Sequence, residues 1–163
     1  MSYIQKIILL AACASLGAEM FPENGAQLNY TQVFFRWSQI PDVVSYQFTM
    51  QNIQTGEGSQ QNMSQNSVLL TEFIDWNSTY TWFICGLFAD GSTPFCSEIY
   101  TLDINPLPGY FPNTENLSID EDLYQDGVTV MDIESLNFSG GLNQHGTPIW
   151  FVDRDLFDIR FTF

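Results

Sequence analysis

The sequence predicts an all-β chain: a β-sandwich followed by the start of a second, incomplete β-structure. Three observations carry this. Apolar residues alternate with polar ones at period 2 in several short runs, the mark of strands with one buried face. Turn signals separate those runs at Ile40-Pro41-Asp42, Thr55-Gly56-Glu57-Gly58, Asp75–Ser78 and Ala89–Ser92. No segment has a convincing helical period. Short strands at this spacing suggest a sandwich.

The chain begins with a leader-like segment, Met1–Ala18. Lys6 supplies a positive start, Ile7–Ala12 an apolar run, and small residues follow at Ala14, Ser15, Gly17 and Ala18. The run is too short to span a bilayer, which takes about 20 apolar residues. Two fates fit. Leu10-Ala11-Ala12-Cys13 resembles the lipobox of bacterial lipoproteins, which implies lipidation of Cys13. Ala12-Cys13-Ala14 is equally an A-x-A cleavage site. Either implies export, to a periplasmic, cell-surface or extracellular location.

The strands of the sandwich, placed at 21–104, follow. Val33, Phe35 and Trp37 alternate with Phe34, Arg36 and Ser38. Val44, Tyr46, Phe48 and Met50 alternate with Ser45, Gln47 and Thr49. Tyr80, Trp82 and Ile84 alternate with Thr81, Phe83 and Cys85. Gly56–Asn66, rich in Gln, Ser and Asn, reads as a solvated loop or polar edge strand, or as a sugar- or protein-contacting loop. With Cys13 in the leader, Cys85 and Cys96 remain as an even pair. They flank a turn, and folding about Asp90-Gly91 sets them opposite each other. A two-residue loop would put Pro94 at a hydrogen-bonded position, where it has no N–H to give. A four-residue loop, Ala89–Ser92, puts Pro94 and both cysteines at non-hydrogen-bonded positions, where side chains approach most closely. An oxidising compartment would join the cysteines in a disulfide; two free thiols that merely pack are the alternative.

Composition narrows the partners. The net charge is −15, from 19 acidic and 4 basic residues. Lys6, Arg36, Arg154 and Arg160 form no cluster, and phosphate backbones and anionic lipid surfaces require one. Nucleic acid is therefore not an expected partner. An acidic surface serves solubility, and the 45% hydrophobic content is enough to bury a core.

Most of residues 21–104 resembles fibronectin type III domains. The resemblance rests on Pro22-x-Asn24-Gly25, Phe35-Arg36-Trp37, Asp42-x-x-x-Tyr46-x-Phe48, Leu69-x-x-x-Phe73 and Asn77-Ser78-Thr79-Tyr80-Thr81-Trp82. It implies that the last run is strand E, turn and strand F, with Tyr80 near the family's tyrosine corner. It further implies an interaction or spacer module without catalysis.

Asn105–Asn116, with Pro106, Pro108, Pro112 and Gly109, opens a Pro-rich and acidic linker over 105–126. Asp120, Glu121, Asp122 and Asp126-Gly127 read as a solvated acidic turn. As a calcium loop the run would place Tyr124 at a ligand position it cannot fill. Strands return at Val128–Ile133 and Thr147–Val152, with a turn at Leu142–Gly146 between them, and Asp158–Phe163 begins another. Since the last residues, Phe161-Thr162-Phe163, fall inside a strand, residues 127–163 read as truncated first strands of a β-propeller, an incomplete blade. Expressed alone, 21–104 should behave better than the region after it, whose unpaired edges invite aggregation.

Tyr124-x-Asp126-Gly127-Val128-Thr129, Gly146-x-x-Ile149-Trp150 and Asp158-Ile159-x-Phe161 resemble the first propeller strands of aryl-sulfate sulfotransferases. That resemblance implies a parent enzyme that moves a sulfuryl group from a small aryl sulfate to a phenol through a sulfo-histidine, its catalytic residues lying outside this chain. The family often has histidine just before the Asp-Ile matched by Asp158-Ile159; this chain has Leu156-Phe157. The sandwich would dock on the rest of the propeller or mediate a homo-oligomer. The alternative is a non-enzymatic, fibronectin-type adhesion or carbohydrate-binding protein.

Candidate chemistry within the chain is sparse. His145, the single histidine, sits in the turn sequence Asn143-Gln144-His145-Gly146, with no partner suggested by sequence. Asp153 and Asp155 share one strand face. Paired carboxylates serve glycoside chemistry, but adjacent same-face acids more often form a solvated surface. No catalytic residue, metal ligand or cofactor is assigned. N-x-[ST] sequons stand at Asn29, Asn62, Asn77, Asn116 and Asn137 and matter in a eukaryotic secretory pathway.

Overall fold

The structure, a computed structural model, describes residues 19–92, 95–114, 127–133 and 138–153. The leader with Cys13, the acidic run at 120–126, Asp155 and the expected strand at 158–163 lie outside them. Among the described residues all regular structure is strand. In chain order these are β1 (Met20–Phe21), β2 (Ala26–Leu28), β3 (Val33–Trp37), β4 (Ser45–Asn52), β5 (Gly58–Met63), β6 (Ser67–Leu70) and β7 (Ser78–Leu87), then β8 (Phe95–Cys96), β9 (Tyr100–Ile104), β10 (Thr129–Ile133), β11 (Phe138–Leu142) and β12 (Pro148–Asp153).

Two sheets form the sandwich. The minor one runs β1-β3-β6; the major one runs β2-β9-β7-β4-β5, with β8 also on β7. Neighbours are antiparallel except β2 and β9, which run parallel. The alternation read from the sequence dictates what lies between the sheets. Val33, Phe35 and Trp37 from β3 face Tyr46, Phe48 and Met50 from β4 and Tyr80, Trp82 and Ile84 from β7, all buried. Phe35 meets its neighbours tilted or edge-on, 4.9 Å from Phe48 and 5.0 Å from Trp82, a geometry aromatic quadrupoles favour. Val44 breaks the pattern and is 55% exposed. β4 starts one residue later, and Val43 instead covers Gly86, where a Cβ would meet its methyl at 2.7 Å.

Tyr80 forms the expected corner. Its hydroxyl donates to the Phe73 carbonyl (3.2 Å) and accepts from the Asp75 N–H (2.8 Å). This ties the β6–β7 connection down where Phe73 and Asn77 adopt positive φ. Tyr46 acts similarly, accepting from the Ile40 N–H at 3.0 Å.

A third sheet, β10-β11-β12, is an antiparallel meander. Its central strand, Phe-Ser-Gly-Gly-Leu, was not foreseen, because two glycines weaken a strand signal. Their smallness is structural. A Cβ on Gly141 would lie 1.9 Å from the Trp150 indole nitrogen, and one on Gly140 would crowd the rings of Phe111 and Phe138. Phe111, Phe138, Leu142 and Phe151 form this sheet's own small core. Phe111 and Tyr110 come from the proline-rich segment. Both rings stand edge-on to Phe138, so residues 107–111 pack under the sheet rather than running free.

The third sheet is fastened to the sandwich through β12. The Thr31 N–H donates to the Ile149 carbonyl and the Phe151 N–H to the Asn29 carbonyl, each at 2.9 Å. Tyr30 thereby sits opposite Trp150 in an antiparallel bridge. Trp76 adds an indole N–H to the Pro148 carbonyl (3.1 Å) and a ring contact with Phe151.

Candidate functional site

The Cys85–Cys96 pair is a disulfide. The two residues face each other in the β7–β8 register. The neighbouring Ser97 N–H donates to the Ile84 carbonyl at 2.8 Å, so the cysteines occupy the close, non-hydrogen-bonded position. The turn is neither the two- nor the four-residue loop considered from sequence. The Gly91 N–H donates to the Phe88 carbonyl and the Phe88 N–H to the Ser92 carbonyl, which makes Ala89–Gly91 a three-residue loop. Gly91, at φ 81°, supplies the left-handed closing position. A one-residue difference in loop length leaves little trace in sequence, and Pro94 lies outside the described residues. Ser92 also donates from its hydroxyl and backbone N–H to Asp90, and these bonds hold the Asp90 carboxyl below its ordinary pKa.

The disulfide borders the outer face of the major sheet. Because strand side chains alternate, the residues between the buried ones point outward in register. Gln47 stands between Asn62 and Cys85, Thr49 between Gln60 and Phe83, and Gln51 between Gly58 and Thr81. Gln47 donates to Asn62 Oδ1 at 3.3 Å. β4, β5 and β7 contain no charged residue. On the neighbouring β9, Asp103 accepts the Thr79 hydroxyl at 2.6 Å. The Thr49 hydroxyl, at the centre, is covered by its neighbours and has no hydrogen-bond partner. The opposite face, on the minor sheet, is different in kind. It exposes Phe21, Phe34 and Leu69, with Arg36 paired to Glu19 at 3.4 Å.

A shallow cleft of about 460 Å³ lies where the sandwich meets the proline-rich segment and β12, lined by Asn29, Asn105, Pro108 and Tyr110 among others. Asn105 donates to Asn29 Oδ1 at 2.7 Å. Nearby Tyr30 is partly desolvated at the junction of the sheets, which raises its phenol pKa.

The other residues singled out from sequence are scattered. His145 is exposed in the β11–β12 turn, where Asn143 Oδ1 accepts the backbone N–H groups of His145 and Thr147. Asp153 ends β12 and accepts the Tyr110 hydroxyl. Asn62 and Asn77 are exposed and Asn29 is partly covered; Asn116 and Asn137 lie outside the described residues. No group of three or more metal-ligating side chains occurs among the described residues. Sequence reasoning missed the neutral face. Its signal was the absence of charge from three separate strands, which only the register assembles into one surface.

No protein-family model matches the sequence, and no curated protein matches it. Among solved structures, the chain is similar to the crystal structure of the FN5 domain of Drosophila Lar, at 15% identity and a TM-score of 0.40, over 54% of this chain and 90% of that one. A likeness this loose carries no functional argument.

Proposed function

We propose that the protein is an exported, non-catalytic binding module whose fibronectin-like sandwich engages an extracellular partner. The Cys85–Cys96 bond across the hairpin of this sandwich is the observation that supports the reading. Structural disulfides persist in oxidising compartments and are rare where thiols are kept reduced. The leader-like Met1–Ala18 agrees with it. The test has two parts. The protein produced with its natural N-terminus is fractionated, and its thiols are alkylated before and after reduction. The oxidised protein is then passed over immobilised extracellular polysaccharides and proteins. Export, a blocked Cys85–Cys96 pair and retention on one class of ligand are expected. A reduced, cytoplasmic protein, or a folded one retained by nothing, would defeat the reading.

A second reading draws support from the antiparallel meander β10–β12 and from the sequence resemblance around Gly146-x-x-Ile149-Trp150. In it, the chain is the N-terminal, non-catalytic portion of an aryl-sulfate sulfotransferase, and residues 127–163 open the first blade of its propeller. Lipidation of Cys13 would anchor that enzyme at the cell surface. The chain itself should transfer no sulfuryl group from a chromogenic aryl sulfate to a phenol, and turnover by these 163 residues would refute this assignment of roles.

A further inference from the structure

We infer that the outer face of β5, β4 and β7 binds a neutral polysaccharide. This rests on the binding-module reading above and gives it a surface and a ligand class.

Charge selects the partner. The chain carries −15 overall, yet β4, β5 and β7 contain no charged residue. Solvated sheet faces and exposed edges are ordinarily protected by charged side chains or proline. β5, an edge strand with the sequence Gly-Ser-Gln-Gln-Asn-Met, has neither. An anionic polymer would find no cation here and would be repelled by the rest of the chain. A cationic one would find better sites elsewhere on so acidic a protein.

The side chains that remain match hydroxyl chemistry. Gln47, Gln51, Gln60 and Asn62 each offer an amide that donates and accepts at once, as every sugar hydroxyl does. Phe83, half-buried beside Thr49, offers a ring face with negative quadrupole on which the C–H side of a sugar ring can lie. The rows repeat at about 4.8 Å across strands and about 7 Å along them, a flat array suited to an extended polymer. A protein partner fits less well. Protein interfaces concentrate their energy in aromatic, methionine and arginine anchors, and this face presents one half-buried ring and no arginine.

The test is affinity gel electrophoresis of the full chain with its disulfide intact, in gels containing neutral glucan, mannan, xylan or hydroxyethyl cellulose, and in a parallel gel with carboxymethyl cellulose. Retardation by at least one neutral polymer and none by the carboxymethylated one is expected. Gln47→Ala with Gln60→Ala should weaken retardation at least tenfold without altering thermal unfolding, whereas Phe34→Ser on the opposite face should leave it intact. Retardation that survives the double substitution would overturn the assignment of the face while leaving a binding module standing. Retention on proteins alone, or preference for the anionic polymer, would overturn the ligand class. Self-association through β5, seen by sedimentation and abolished by Gln60→Lys, would identify a second copy as the occupant and overturn the inference.

Discussion

The sandwich and the third sheet use aromatic residues in different ways. In the sandwich, Phe35, Trp37, Phe48, Tyr80 and Trp82 are all enclosed between two sheets. Each strand supplies a complete inward face, so the layers bury one another. The third sheet has one layer of its own. Its core is Phe111, Phe138, Leu142 and Phe151, and Trp76 and the Asn29–Thr31 backbone of the sandwich complete it. On the far side, Val130 of β10 and Val128 just before it are exposed. Three strands with one covered face are near the minimum for a stable sheet. The lesson is one of dependence: the third sheet borrows a strand edge and a tryptophan from the sandwich, whereas every buried residue of the sandwich core is supplied by the sandwich itself.

Truncating the two cores is the harshest way to break that comparison. Trp82→Ala should cost about 3–5 kcal/mol and unfold sandwich and third sheet together. Phe138→Ala removes a ring of similar burial, but should release the third sheet alone. Far-ultraviolet and aromatic circular dichroism during urea unfolding would separate the cases. Loss of the sandwich signal in Phe138→Ala would erase the distinction.

Replacing both Cys85 and Cys96 by alanine should destabilise the sandwich by about 2–3 kcal/mol, from the short loop released, and leave the contacts of β12 with Tyr30 in place. A smaller loss, about 1–3 kcal/mol from overpacking, is expected for Gly141→Ala, whose Cβ has to displace the Trp150 indole. It should fall on the third sheet, visible as greater proteolysis there. In the opposite direction, Thr49→Val should stabilise the sandwich by about 1 kcal/mol, since it removes a covered hydroxyl without a partner; a lower melting temperature would mean that hydroxyl is satisfied.

The mildest probe is alkali. Tyr30 has its phenol pKa raised above the ordinary 10.0 by burial, so folding favours the neutral form. That contribution is complete below the unfolded value and is lost as pH rises through the raised folded one. Phenolate absorbance should therefore lag for Tyr30, and the third sheet should loosen as it ionises. Substitution by phenylalanine should remove the effect.

Much of the sandwich was legible because alternation reports burial directly. Every inward residue read on β3, β4 and β7 reached the core, and only Val44, which precedes β4, did not. The facing cysteines followed from the hairpin's spacing, and the tyrosine corner from the resemblance to fibronectin type III domains. What escaped was set by contacts between distant segments. Phe138–Leu142 carries no strand signal in the sequence, because its two glycines mask it until Trp150 is known to lie across Gly141. Residues 107–111 read as a linker until Phe138 supplies the ring they pack on. The neutral outer face was hidden for the same reason. Gln47, Gln60 and Phe83 are neighbours only through β-register, and a run of polar residues such as Gly56–Asn66 does not reveal what stands beside it.

Native-state hydrogen exchange on the full chain tests the one-sided dependence most directly. Amides of Phe48 and Trp82 should exchange only through global unfolding, while those of Met131 and Gly140 should exchange through a cheaper opening that leaves the sandwich protected. Equal exchange free energies for the two groups, falling together under added denaturant, would mean a single cooperative unit and would contradict it.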